Sequence, residues 1–465
     1  MVRRLRLAVA ATLPLAFATA AAQVNTPTAP PDSRADYALT NVRIVIAPGR
    51  VVERGTILMR NGRIAAVGAN VNIPAGVMRM DLSGHSVFPG LIDAATSIGL
   101  PSPARALPAA PDAAAAAGRG GRAGGGGFAG GRGGAGGRGA AAPEPPVVLP
   151  EIDAAAEAAN MFSPTDEQLK AFRSGGVTTV GLVFAGGIFP GRVGAALTGD
   201  PGAAPLALRA AAGQDVAFGT RRGGYPGTAI GSVAYIRQMF LDAQYEARVD
   251  KAFKAGTPGA RPSNNPLRRA LMPAATGEMP TWFVASTERQ IIRAGSIAKE
   301  LGLKAPVVVG SQEGWRAIEQ FKSTGATAVV SLDWPSVENV TGRAFLAVGD
   351  GRTGMAPAPT AADTAIVRGN AAALAKAGIP VALASYGGES GNTFRNRIRM
   401  TIEAGMSADD ALRAATVTPA AVLGITSTVG TLEVGKLANL VVVSGNDLFA
   451  ATNPIKHVFI EGRLY

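Results

Sequence analysis

The sequence contains no cysteine and only two histidines, His85 and His457, in 465 residues. The first absence excludes disulfides, thiolate metal centres and cysteine nucleophiles. The second leaves no Ser-His-Asp arrangement to compose and no cluster of imidazole metal ligands. Each histidine reads as an ordinary surface or turn residue. Beyond the first 22 residues there is no second long apolar run, so no membrane span is expected. What is plentiful is apolar side chain, 47% of the chain, enough for a substantial core. Glycine, at 60 residues, is too abundant for a uniformly packed protein and points to a biased segment.

The opening residues, MVRRLRLAVAATLPLAFATAAA, have the three-part plan of a secretory signal peptide. Arg3, Arg4 and Arg6 precede an apolar run from Leu7 to Ala18, and Ala20, Ala21 and Ala22 supply a small-residue cleavage site before Gln23. Leu5 and Arg6 fit a twin-arginine signal poorly, so the general secretory route is expected, with a periplasmic or secreted product. The formal net charge of +12 falls to 12 − 3 = +9 once those three arginines are removed. A moderate positive charge favours solubility and anionic surfaces; it does not by itself indicate nucleic-acid binding.

Short alternating strands fill residues 38–87, with Asn61-Gly62 between two of them as a hairpin signal. The same pattern returns in GTLEVGKLANLVVVSGN and PIKHVFIEGRLY at the far end. Two strand-rich ends predict one small sheet domain with the middle inserted in it. The middle repeats a helix–Gly–strand grammar: EQLKAFRSGG then VTTVGLVF, ERQIIRAGSIAKELG then APVVVG, GWRAIEQFKSTG then ATAVVSLD, and AAALAKAGIPVALAS. Repeats of this kind predict parallel strands with helical crossovers closing into an eight-stranded β/α barrel. The expected organisation is a signal peptide over 1–22, a disordered mature N-terminus over 23–35, β-sandwich over 36–88 and 428–465, and a barrel over 89–427. Within the barrel, residues 103–147 form a Gly/Ala/Arg-rich stretch, read as a disordered surface-loop insertion. AGGIFPGRVGAALTG reads as a long Gly-rich loop, and residues 218–247 as a basic loop, Arg221-Arg222, followed by a long amphipathic helix.

NGRIAAVG, GHSVFPGLIDA, GGVTTV, AGMSADDALRAATVTPAAVLGI and GTLEVGKLANLVVV together resemble the amidohydrolase superfamily, in particular its imidazolonepropionase-like and prolidase-like members. The resemblance spans nearly the whole mature chain. It implies an α/β fold in which a TIM-like (β/α)8 barrel is inserted in a β-sandwich built from both termini. It also implies hydrolysis of C–N bonds with zinc or another divalent metal held by histidines and an aspartate at the barrel mouth. Carried over residue by residue, the His-x-His pair falls on Ala95 and Ser97, the fifth-strand histidine on Val284, the sixth-strand histidine on Gly310, and the last-strand aspartate on Tyr386. A carboxylate-only site from Asp93, Asp333 or Glu389 would suit Mg²⁺ or Ca²⁺ rather than zinc-type water activation.

Three readings follow. The first is an exported, non-catalytic paralogue without a metal cofactor, pairing with itself or with an active amidohydrolase. The second is a hydrolase of non-peptide or dipeptide C–N bonds, with an unrecognised or interface-shared metal site. The third is a binding protein for a small molecule or peptide, with a pocket drawn from Asp93, Arg221, Arg222, Ser385, Tyr386 and Glu389. Tyr386 is expected to fill part of the space that metals occupy in the family.

Overall fold

The computed structural model describes residues 36–101, 153–201, 206–220, 225–334, 361–386 and 391–465. The expected signal peptide and N-terminal tail, the whole Gly/Ala/Arg-rich insertion, Arg221, Arg222 and Glu389 lie outside them.

The first strands are β1 (Tyr37–Ala47), β2 (Arg50–Arg60), β3 (Arg63–Gly68), β4 (Met78–Asp81) and β5 (His85–Pro89). Asn61 and Gly62, at φ 51° and 77°, make the β2–β3 turn. Two consecutive left-handed residues give the twist that a two-residue hairpin needs, which is why Asn-Gly marks it. The long β1 pairs in parallel with β4 through its first half and with β5 through its second. After the barrel the chain returns as β14 (Leu440–Ser444), β15 (Ile455–Ile460) and β16 (Arg463–Leu464), and β14 pairs antiparallel with β5. Both ends therefore share one sheet. Leu39, Ile44, Ile57, Met59, Val87, Leu440, Val442 and Phe459 form its core, and the Tyr37 ring meets Phe459 edge-on at 5.5 Å.

Eight further strands form the barrel: β6 (Leu91–Thr96), β7 (Val177–Leu182), β8 (Gly191–Leu197), β9 (Ala207–Ala217), β10 (Thr281–Ala285), β11 (Val307–Gly310), β12 (Thr327–Ser331) and β13 (Val381–Ala384). They neighbour one another in chain order. Around them lie α1 (Asp166–Ser174), α2 (Ala229–Lys254), α3 (Pro266–Ala275), α4 (Glu288–Leu301), α5 (Ile318–Thr324), α6 (Ala361–Lys376), α7 (Gly391–Glu403), α8 (Ala408–Ala414) and α9 (Val417–Val422). Local chemistry sets the helix ends. Thr165 with Gln168 and Thr287 with Gln290 form capping boxes that start α1 and α4, and Gly302, at φ 64°, stops α4.

The barrel departs from the sequence expectation at one strand. Gly191–Leu197, read as part of a mouth loop, is β8, and it runs antiparallel to both β7 and β9. Only residues 183–190 join β7 to β8, too few for the helical crossover a parallel neighbour requires. Small residues let this strand pack closely: a side chain at Gly194 would lie 2.7 Å from Ala159.

Side chains alternate around the barrel wall. Trp282 faces the interior with Val307, Val309, Val329, Ala382 and Ala384. Phe283, Val308, Val330 and Leu383 face the helices. No described helix is long and apolar enough to cross a membrane.

Candidate functional site

In this architecture the strand ends that face the loops after β10, β11 and β13 form the mouth, where barrel proteins place their sites. The five positions picked out by resemblance lie at or just beyond strand ends. Ala95 is fully buried near the end of β6, where the strand is irregular between Asp93 and Thr96, so Ala94 and Ala95 both pack in the interior cluster. This irregularity breaks the simple i, i+2 alternation that would have turned residues 95 and 97 the same way. Ser97 lies past the strand end, and its carbonyl accepts the amide of Leu100 at 3.1 Å. Val284 packs against the interior cluster from β10.

Gly310 ends β11 at φ 97°. A side chain there would start 2.5 Å from Ser286 Oγ, and the backbone conformation is one that L-residues avoid. The position is shaped for glycine, so a histidine could enter only if Ser286 moved and the backbone took up strain.

Tyr386 follows β13. Its amide donates to the Ala95 carbonyl at 2.9 Å, and its ring packs against the barrel-interior cluster. Burial, and secondarily the nearby Asp215, push the phenol well above its ordinary pKa, so it stays protonated. At φ 30° the residue is held in a sparsely populated backbone region.

Next to it Ser385 binds Asp93. The Ser385 amide donates to Asp93 Oδ1 at 2.9 Å and its hydroxyl to Oδ2 at 2.5 Å, while the Ala95 amide donates to Oδ1 at 3.3 Å. These bonds, with Tyr386 to Ala95, close the barrel between its last and first strands. Burial raises the Asp93 carboxyl to about 7, against the opposing effect of its hydrogen bonds. Of the expected pocket residues, the structure thus brings Asp93, Ser385 and Tyr386 together. Their main role in this geometry is to hold the barrel seam.

One polar group was not legible beforehand. Asp215, on β9, is the register partner of Trp282 on β10 and shares its inward face. It is fully buried, and neither carboxylate oxygen accepts a well-formed hydrogen bond, although the Phe184 and Val216 amides are close enough to favour its charge somewhat. Burial dominates and pushes its pKa well above the usual carboxylate range, which favours the protonated form. The Trp282 indole N–H beside it also lacks a partner. The available sequence signal was a lone acid inside an otherwise apolar strand, GQDVA.

The remaining acids are held elsewhere. Asp333 pairs with Arg397 at 3.1 Å, and Glu313 accepts the Glu288 amide at 2.8 Å at the start of α4. His85 and His457 both lie in the sandwich sheet, on strands flanking β14. The His457 pKa is lowered by burial, then by His85 and Lys456. Among the described residues no group of three or more His, Cys, Asp or Glu is placed to hold a metal ion. Ala95, Val284 and Gly310 offer no side-chain donor, Ser97 a weak one and Tyr386 a protonated phenol. This donor set does not fit a water-activating zinc-type site.

A barrel whose flanking sheet is shared by both chain ends, with its candidate site at the strand termini, defines the architecture of the amidohydrolases. The amidohydrolase family model matches residues 360–465, the segment that contains α6, β13, α7, α8, α9 and the returning sandwich strands. An amidohydrolase from Thermotoga maritima MSB8 superimposes with a TM-score of 0.68 at 20% identity, covering 92% of this chain and 99% of its own. Phenylurea hydrolase B follows at TM-score 0.52 and 16% identity, covering 93% and 97%. A Xaa-Pro dipeptidase with methionine bound in its active site superimposes at TM-score 0.50 and 16% identity, covering 93% and 100%. No curated protein sequence matches the chain. The chain is amidohydrolase-like in fold, as the sequence motifs predict.

Proposed function

We propose that this amidohydrolase-fold protein lacks the family's metal-dependent hydrolysis and acts as a non-catalytic partner subunit or ligand-binding protein outside the cytoplasm. The observation that carries this is Tyr386. It stands where the resemblance puts the catalytic aspartate, its phenol is held neutral, and its ring packs into the barrel interior. The donor-free side chains of Ala95, Val284 and Gly310 support the same reading, because a divalent metal needs several charged or imidazole ligands to displace its hydration shell. The proposed export rests on the arginine-led apolar segment and its alanine-rich cleavage site.

A self-pairing or an active paralogue is the partner class, and a small molecule or peptide is the ligand class. Hydrolysis of amide-like C–N bonds would require ligands supplied from a second chain. The test is elemental analysis of untagged protein before and after incubation with Zn²⁺ or Mn²⁺. The expected result is below about a tenth of an equivalent per chain. A stoichiometric transition metal overturns the proposal and moves the hydrolase reading to first place.

A further inference from the structure

The outer face of α2 is not what a solvated helix presents. Its inner face is conventional: Ser232, Ile236, Phe240, Ala243 and Glu246 are buried, with Phe240 edge-on to Phe189 at 5.9 Å. The opposite face should then be polar, as the amphipathic pattern predicts. Instead it carries Ile230, Ala234, Arg237, Leu241, Tyr245 and Arg248, all exposed and spaced three or four residues apart. Ile230 is 83% exposed, Tyr245 59% and Leu241 43%. Scattered apolar residues are normal on a surface, but three large ones in one row of one helix form a patch. Exposed Ile292, on the neighbouring α4, adds to the apolar surface on these packed helices.

We propose that the outer face of α2 is a self-association surface, on which a second copy of this chain packs its own α2 antiparallel across a two-fold axis near Leu241. The pattern of the row selects this occupant. A two-fold contact is self-complementary, so residue i meets j and j meets i. With the axis at Leu241, antiparallel pairing sets Leu241 on its own copy, Ile230 on Ala252, Ala234 on Arg248 and Arg237 on Tyr245. No arginine faces an arginine. One guanidinium meets an aromatic ring and the other a methyl group, both favourable or neutral contacts. Parallel pairing would instead stack Arg237 on Arg237 and Arg248 on Arg248. The charge left on the face is also moderated, since Arg237 is paired with Glu300 of α4 at 2.6 Å.

The geometry also sets the strength. A helix of 26 residues is about 39 Å long. A strip of that length and about 12 Å wide removes roughly 900 Å² from both copies together, at the low end of specific interfaces. The dimer is therefore a weak, concentration-dependent one. This inference deepens the assembly reading above and rests on it only for the idea that the surface carries the role. It does not depend on whether a metal is bound.

The chain's lack of cysteine makes the test direct. Leu241→Cys in the full chain introduces a single thiol that the proposed axis sets against its own copy, within reach of a disulfide. Mild oxidation with diamide should convert this variant to a covalent dimer. Ile230→Cys alone should form no covalent dimer, while a mixture of Ile230→Cys and Ala252→Cys should cross-link. Val434→Cys, exposed on the sandwich side, controls for random collision. Sedimentation velocity on the unmodified chain should show a dimer that dissociates on dilution and is abolished by Leu241→Glu with Tyr245→Glu. Self-cross-linking of Ile230→Cys with none at Leu241 overturns the antiparallel pairing. A dimer untouched by the double glutamate variant overturns this surface while leaving assembly intact. A wild-type chain that stays monomeric at all concentrations overturns self-association, and the metal analysis is unaffected by any of these results.

Discussion

Replacing Asp93 by asparagine should change how stability depends on pH more than it changes the structure. The Asp93 carboxyl is fully buried at the barrel seam and titrates at about 7. An unfolded chain would release that proton near its ordinary value of about 4. The folded pKa is the higher one, so the native state keeps a proton that the unfolded state loses. Stability therefore falls as pH rises between these values, by about 1.4 kcal/mol per unit and about 4 kcal/mol in all, and is flat below and above that window. Asparagine preserves the seam: its Oδ1 accepts the Ser385 and Ala95 amides as before, and its NH₂ donates to a rotated Ser385 hydroxyl. Urea unfolding followed by tryptophan fluorescence, at intervals from pH 4 to 8, reads the effect as a difference between variant and wild type. Groups with other shifts, such as Glu433, held at about 2 chiefly by Arg50, cancel in that difference. Asp215 contributes a slope of the same sign, so Asp93→Asn with Asp215→Asn should flatten the profile further. Parallel wild-type and Asp93→Asn curves across pH 4 to 8 would refute the reasoning and mean that Asp93 is ionised in the fold.

Two further substitutions test the barrel interior. Tyr386→Ala should leave a cavity among Ala95, Val284 and the interior cluster and cost about 3–5 kcal/mol by urea denaturation, without creating affinity for zinc in a titration, because no donors replace the ring. Gly181→Ala places a methyl group 2.1 Å from the Ala94 carbonyl oxygen, a backbone atom that cannot rotate away. It should lower stability by about 3 kcal/mol or more, seen as a fall in the thermal midpoint, whereas an unchanged midpoint would mean the β6–β7 pair is more loosely packed than the register indicates.

Where local chemistry and tertiary demand agree, the fold was legible. Asn61-Gly62 makes its turn because the twist of two paired strands requires two left-handed residues there. The helices in EQLKAFRSGG and ERQIIRAGSIAKELG were read from their spacing and glycine stops, and the structure adds the Thr165–Gln168 and Thr287–Gln290 boxes that satisfy their first-turn amides. The strand Gly191–Leu197 was missed for a matching reason. GRVGAAL carries few β-branched residues, and its strand conformation is imposed by two neighbours that satisfy its backbone, which no short window of sequence records. The outer face of α2 was misread because apolar spacing fixes which residues form a helix but not how many of its faces will be covered.

Ala95, Val284 and Gly310 could be read from the sequence as side chains without metal donors, but the hydrogen bonds that join the neighbouring strand ends could not. Bound metals at a barrel mouth tie the ends of several strands together through coordination. In this chain the corresponding tie between first and last strands is made by Asp93 with Ser385 and by Tyr386 with Ala95, all through hydrogen bonds. Such a seam is built from hydrogen bonds alone, and burial raises the pKa of the Tyr386 phenol and of both buried carboxyls. Asp215 is an acid that this arrangement leaves without a well-formed hydrogen bond, as it leaves the Trp282 indole beside it. A buried acid without a partner costs stability, so its presence beside Tyr386 and the unpaired Trp282 indole marks the part of the barrel least explained by packing. If the protein holds a ligand inside the barrel, these three side chains are where substitution should weaken binding without loosening the Asp93–Ser385 seam.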